Sequence, residues 1–183
     1  MTKTMVAFDL ETTGLDTQND HILQIGLVKF DTETFEELAS VDWYIKPKYD
    51  FTIAPGAFKK TGLTKEFILE NGVFLSDIWD KVVEFIGNDD ILSYNGNNFD
   101  VPMLHYNLLR YGLSFDFENH VFYDSLVIER KRNSMQLAHV YKRYTGKELE
   151  DAHEALADVR ALIEIFKHQI QNDDIKIFIS GKF

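Results

Sequence analysis

Asp9 and Glu11 stand two positions apart at the end of an apolar run, Met5-Val6-Ala7-Phe8. A short run of this kind reads as a buried strand. Strand side chains alternate between faces, so the two carboxylates point the same way. Two partly buried carboxylates on one face repel each other and do not ionise together without a cation. A divalent metal removes that conflict. The stretch Phe8-Asp9-Leu10-Glu11-Thr12-Thr13-Gly14 therefore suggests a metal site whose remaining ligands come from elsewhere in the chain.

The rest of the chain can supply one domain around such a site. Its 183 residues are enough for a full core, and 45% hydrophobic with 14% aromatic content fits a globular protein. No linker, repeat or low-complexity tract divides it, so residues 1–183 read as a single domain. There is no apolar run long enough to span a membrane and no signal-like N-terminus. The absence of cysteine excludes disulfides and thiolate ligands. It is compatible with a reducing cytoplasm, the expected location. A formal net charge of −11 argues against a broad basic surface that grips nucleic acid. It does not exclude an enzyme whose site holds cations and whose local basic clusters guide an anionic substrate. Three clusters qualify: Lys59-Lys60 with Lys65, Arg130-Lys131-Arg132, and Lys142-Arg143 with Lys147. Each also reads as a solvated face or loop.

Apolar periodicity predicts strands over 4–10, 22–30 and 35–45, the last two joined by the short polar link Asp31-Thr32-Glu33-Thr34. Residues 46–72, with two prolines and three glycines, read as irregular. A helical period follows over 75–86, then a short strand at 91–93 and a helix from 98 or 99 to 110. Another short strand, 121–123, precedes helices near 134–144 and 154–170. Three antiparallel strands followed by strands alternating with helices indicate a mixed α/β sheet covered by helices. The C-terminal stretch 175–179 reads as an extra strand or an oligomer contact.

Two further acidic stretches join the first. Asp100 ends the run Asn95-Gly96-Asn97-Asn98-Phe99-Asp100 and enters the first turn of a helix beyond a parallel strand, where α/β sites usually lie. Alone, it also reads as a helix cap. His153 and Asp158 open the last helix and alone read as part of an amphipathic surface.

Together the three stretches resemble the DEDD superfamily of 3′–5′ exonucleases, histidine subgroup, which includes proofreading subunits of bacterial replicative polymerases and oligoribonuclease-type enzymes. Asp9-Leu10-Glu11-Thr12 matches the Asp-x-Glu-Thr motif, Asn95 to Phe99-Asp100 the second motif, and His153 with Asp158 the His-x-x-x-x-Asp motif. Asp124-Ser125 matches a frequent pair after the last strand. The tyrosine subgroup places Tyr four residues before the last Asp, where this chain has Glu154. The second motif often opens His-Asn, and here it opens Asn95-Gly96. The resemblance spans residues 5 to 170.

The resemblance implies a ribonuclease H-like fold with a five-stranded mixed sheet flanked by helices. It implies hydrolysis of terminal phosphodiester bonds of DNA, releasing nucleoside 5′-monophosphates, with Asp9, Glu11, Asp100 and Asp158 holding two Mg²⁺. Mn²⁺ can substitute, since an all-carboxylate site suits hard cations. His153 is the implied general base, Thr12 the contact to the terminal 3′-OH, and Leu15 a wedge against the last bases. Phe99 is either a base contact or a core residue. Positions five apart on a helix differ by about 140°, so His153 and Asp158 do not share a helix face. The implied chemistry then requires the helix to begin at or just after His153, with the histidine on the entry loop or on a mobile entry, although Asp151 and Glu154 have the spacing of a capping box that starts the helix earlier. The remaining histidines, His21, His105, His120, His139 and His168, form no ligand pair and read as ordinary residues.

The expected partner is nucleic acid with a free 3′ end, single-stranded, with a polymerase or a second copy of the chain as a further partner and no membrane. The lack of a long tail favours a free-standing enzyme or a small subunit. An exoribonuclease acting on short RNA or RNA 3′ ends shares every motif. A catalytically silent nucleic-acid-binding adaptor is the reading of another class, and the complete five-residue set argues against it.

Overall fold

The computed structural model describes residues 3–129, 136–150 and 154–171. Strands β1 (Thr4–Thr12), β2 (Ile22–Asp31) and β3 (Glu37–Tyr44) pair antiparallel in sequence order. β4 (Asp90–Ser93) lies parallel to β1, and β5 (Phe122–Asp124) lies parallel to β4. The sheet order is β3-β2-β1-β4-β5, so β1 is central. This is the five-stranded mixed sheet that the apolar pattern predicts. β1 runs two residues past its expected end because β2 still pairs with it, Glu11 opposite Gln24 and Thr12 opposite Ile22. β3 begins later than expected because Phe35 turns the hairpin at φ +61°. Asp31 Oδ1 shapes that turn by accepting from the backbone N–H of Glu33 and Thr34.

Residues 46–72 are not irregular throughout. They contain two helices, α1 (Pro55–Thr61) and α2 (Lys65–Asn71). Each is seven residues long, too short to display an apolar period. Their signals are local instead. Pro55 stands at the start of α1 and Gly62 closes it at φ +69°, while Thr64 Oγ1 caps α2 by accepting from Phe67 N at 3.1 Å. α3 (Leu75–Ile86) and α4 (Asp100–Tyr111) follow. α5 (Ser125–Glu129), α6 (Leu137–Thr145) and α7 (Ala155–Gln171) complete the described α-helices. The Arg130-Lys131-Arg132 cluster, the start of the expected 134–144 helix and the stretch 175–179 lie outside the described residues.

Alternation along β1 divides the core into two layers. Val6, Phe8 and Leu10 pack on one face with Trp79 and Val82 of α3 and Leu104 and Leu108 of α4. Met5 and Ala7 pack on the other with Val159, Leu162 and Phe166 of α7. Asp9 and Glu11 continue the Met5–Ala7 face and so project toward α7. Opposite Asp9 on β2 stands Gly26. A Cβ there would lie 2.8 Å from Ala155 Cβ and 3.1 Å from the Ala155 backbone. Gly26 thus lets the first residue of α7 press directly on the sheet, as glycine inside a strand often does where backbones approach. Gly26→Ala is expected to destabilise the protein by about 1–3 kcal/mol through overpacking, measured by urea unfolding. Unchanged stability would mean that α7 does not bear on β2 at this point.

Candidate active site

The close seat of α7 on Gly26 brings Asp158, one turn into the helix, over the strand carboxylates. One carboxylate oxygen from each of Asp9, Glu11 and Asp158 lies within 4.8 Å of the other two, and all three side chains are half-buried. α7 begins at Ala155 with Glu154 outside it, and Asp158 N donates to Glu154 O at 3.0 Å. The helix therefore starts after position 153, not three residues earlier as a capping box at Asp151 and Glu154 would have it. His153 and Asp151 themselves lie outside the described residues.

Asp100 arrives from the other side of the sheet as the first residue of α4, and it is buried. β4 pairs with β1 only from Met5 to Ala7, so the Leu10 N–H extends past the end of β4. Asp100 Oδ1 accepts it at 3.2 Å. The loop that delivers Asp100 is held by Asp124, whose carboxylate accepts from Asn95 N at 2.8 Å and Asn97 N at 3.3 Å. Asn95 adopts φ +64°, and a Cβ at Gly96 would meet Ser93 Oγ at 2.1 Å. Asp124 is thus a positioning residue; its sequence signals are an acid at the end of a buried strand and the Asp124-Ser125 pair that the resemblance picks out. Gly96 carried no signal that periodicity could detect.

A cleft of about 500 Å³ opens over these groups. Asp9, Glu11, Asp100 and Asp158 line it with Thr12, Leu15 and Phe99. Thr12 is buried, and its hydroxyl donates to Gly14 O at 2.7 Å. Leu15 is 79% exposed at the tip of the β1–β2 loop. That loop is clamped from below: Thr13 Oγ1 donates to Asp20 Oδ1 at 2.7 Å, and Arg110 of α4 donates to Gln18 O at 2.7 Å and Asp20 O at 3.1 Å. Phe99 is partly buried against the core while also facing the cleft. A larger depression of about 710 Å³ lies elsewhere, beside α6, α7 and the Glu37–Arg160 ion pair. Among the described residues, the glutamates that line it do not converge as Asp9, Glu11 and Asp158 do, so chemistry rather than size identifies the site.

Electrostatics set the site apart. Burial, then the neighbouring Asp100, Glu11 and Asp158 charges, hold the Asp9 carboxyl well above the usual range. Burial, then Asp158 and Asp100, push Glu11 up to about 8, opposed by Lys60. Burial pushes Asp100 up to about 7, opposed by its backbone hydrogen bonds. Every one of these penalties falls on the ionised form, which is the form a cation stabilises. The all-oxygen donor set suits a hard divalent ion and fits no soft-metal site.

Comparison with known proteins bears on the same residues. A family model described as exonuclease, RNase_T, matches residues 6–166. A PolC-type DNA polymerase III from Clostridium perfringens is 31% identical over 172 residues, covering 88% of this chain and 11% of that one. The chain thus spans about a tenth of the length of this relative. The epsilon subunit of DNA polymerase III from Salmonella typhimurium is 28% identical over 174 residues, covering 88% of this chain and 69% of that one. Among solved structures, a zinc-bound complex of E. coli exonuclease I with single-stranded DNA superposes with a TM-score of 0.82 at 23% identity, covering 96% of this chain and 42% of that one.

The raised carboxyls have a consequence for stability. Unfolded Asp and Glu titrate near 4, so between about pH 4 and pH 8 the metal-free fold holds more protons than the unfolded chain. Glu11, with a folded value of about 8, therefore stabilises the fold least at the top of that window. Glu11→Gln is expected to raise the metal-free Tm at pH 8 relative to wild type and to leave it little changed at pH 4, while blunting the rise in Tm on adding Mn²⁺. Thermal melts at both pH values test this, and a Tm gain that is equal at both would remove the electrostatic account.

Proposed function

The chain belongs to the RNase_T exonuclease family, the DEDD-type 3′–5′ enzymes, and from that premise we propose that it removes nucleotides from the 3′ end of single-stranded DNA. The observation that carries the reading is the convergence of Asp9, Glu11 and Asp158 within 4.8 Å in the floor of a cleft. A silent adaptor has no need to keep three mutually repelling carboxylates. DNA is favoured over RNA by the matched relatives, which are named as DNA polymerase III proteins, and by the fold's likeness to a protein solved with single-stranded DNA. A proofreading or repair role is the corresponding proposal for the biological setting.

The family depends on divalent metals. We take the ions here to be two Mg²⁺, with Mn²⁺ able to substitute; they would neutralise developing charge and make water nucleophilic at neutral pH. Asp9, Glu11 and Asp158 would hold them, with Asp100 completing the oxygen set. His153, just ahead of α7, would take the proton from the attacking water on an imidazole nitrogen, a role suited to its near-neutral pKa. The water oxygen forms the new bond to the terminal phosphorus, the bond from phosphorus to the 3′ oxygen of the preceding nucleotide breaks, and that oxygen takes up a proton. A nucleoside 5′-monophosphate leaves. Thr12 would bind the terminal 3′-OH. Leu15 would part the last bases; its side chain is exposed, and Arg110 fastens the base of its loop by donating to Gln18 O.

The test is degradation of 5′-labelled oligonucleotides carrying free or blocked 3′ ends. Wild type should shorten the free end only, in a Mg²⁺-dependent manner, and should act faster on DNA than on matched RNA. Asp9→Ala should abolish activity and weaken metal binding. His153→Ala should slow hydrolysis by about 10²–10⁴-fold while leaving metal binding largely intact. Cleavage that ignores a blocked 3′ end would point to an endonuclease, and much faster decay of RNA would move the substrate to the exoribonuclease branch.

A further inference from the structure

α1 forms part of the cleft wall. Its cleft-facing residues are Gly56, Ala57, Lys60 and Thr61, which fall on one side of the helix. Three of these are small, and a Cβ added at Gly56 would meet nothing within 4 Å. Lys60 is therefore the one long side chain on that wall, and it is the sole cation among the described residues lining the cleft. It is exposed and forms no salt bridge among the described residues, whereas Lys65 nearby is tied to Asp50 at 2.6 Å. Lys59, its chain neighbour, does not line the cleft. The entrance to α1 is itself fixed to the motif-bearing turn, since Ala54 N donates to Thr13 O at 2.8 Å. Lys60 thus has a defined position relative to β1.

Two roles are open to a lone ammonium here. It could balance Glu11, whose charge it favours. It could instead meet the anionic backbone of a strand lying in the cleft. Once cations occupy the carboxylates, the first role disappears and the second remains. A compact ammonium on a flexible stem suits a phosphate oxygen approached from one side. We propose that Lys60 is the substrate-positioning cation of the cleft, binding a non-bridging phosphate oxygen of the strand held against α1. This deepens the exonuclease reading and rests on it.

The experiment compares wild type, Lys60→Gln, Lys60→Arg and Lys59→Gln on a 5′-labelled oligo-dT, with kcat and KM measured between about 50 and about 200 mM NaCl. Lys60→Gln should raise KM about tenfold at low salt with kcat changed far less, as loss of a charge-assisted contact would. The slope of log KM against log salt should fall by about 0.7, the share of one phosphate contact on a single strand. Lys60→Arg should restore most of the loss, and Lys59→Gln should match wild type. Mn²⁺ affinity, measured by titration calorimetry, should be little changed in Lys60→Gln. An unchanged KM and salt slope in Lys60→Gln, beside an active wild type, overturns this proposal alone. A changed Mn²⁺ affinity with an unchanged KM overturns it in favour of charge balance at Glu11. An inactive wild type overturns the exonuclease reading together with it.

Discussion

Mutual repulsion among Asp9, Glu11 and Asp158 is the constraint around which the rest of the molecule is arranged. With carboxylate oxygens within 4.8 Å, each ionised pair costs roughly 3–4 kcal/mol at an effective dielectric near 20. A fold that keeps such a cluster must hold it by force from elsewhere. The central strand β1 is buried on both faces, between α3 and α4 on one side and α7 on the other. The absence of a side chain at Gly26 lets α7 settle close enough to bring Asp158 in. Asp100 is anchored by the free Leu10 N–H beyond the end of β4. The framework therefore holds these groups together at an electrostatic cost whenever they ionise, a common arrangement where function and stability conflict.

Much of this was visible in the chain before its structure. The alternation that places Asp9 and Glu11 on one face follows from the two-residue period of a strand, and β1 is regular enough for that period to hold. The boundaries of α3 were readable because its apolar positions Ile78, Trp79, Val82 and Ile86 span more than two turns. α1 and α2 escaped because seven residues show less than two periods, and their evidence sits in single residues such as Pro55, Gly62 and Thr64. The partnership of Asp158 with the strand pair was legible only through the resemblance of the motifs. Nothing in the spacing of His153 and Asp158 states how closely their helix approaches the sheet. That distance is set by a glycine more than a hundred residues earlier in the chain.

The acidic character of the whole chain and the proposed nucleic-acid substrate are compatible because charge is distributed unevenly. The cleft floor is rich in carboxyl groups. The α1 wall is small and neutral except for Lys60, and the loop carrying Leu15 is fastened at its base by Arg110 and Asp20 while its tip stays exposed. The carboxyl groups and Lys60 thus line one cleft. The buried Asp124 carboxylate serves neither directly; it organises the Asn95–Asn97 turn from which Asp100 emerges.

The central claim is that this cluster is a divalent-metal centre, and a crystal structure of the protein soaked in Mn²⁺, phased on manganese anomalous scattering, tests it most directly. The account predicts anomalous peaks in the cleft over β1, contacted by Asp9, Glu11 and Asp158. Manganese absent from the cleft, or held only by carboxylates elsewhere on the surface, would contradict it.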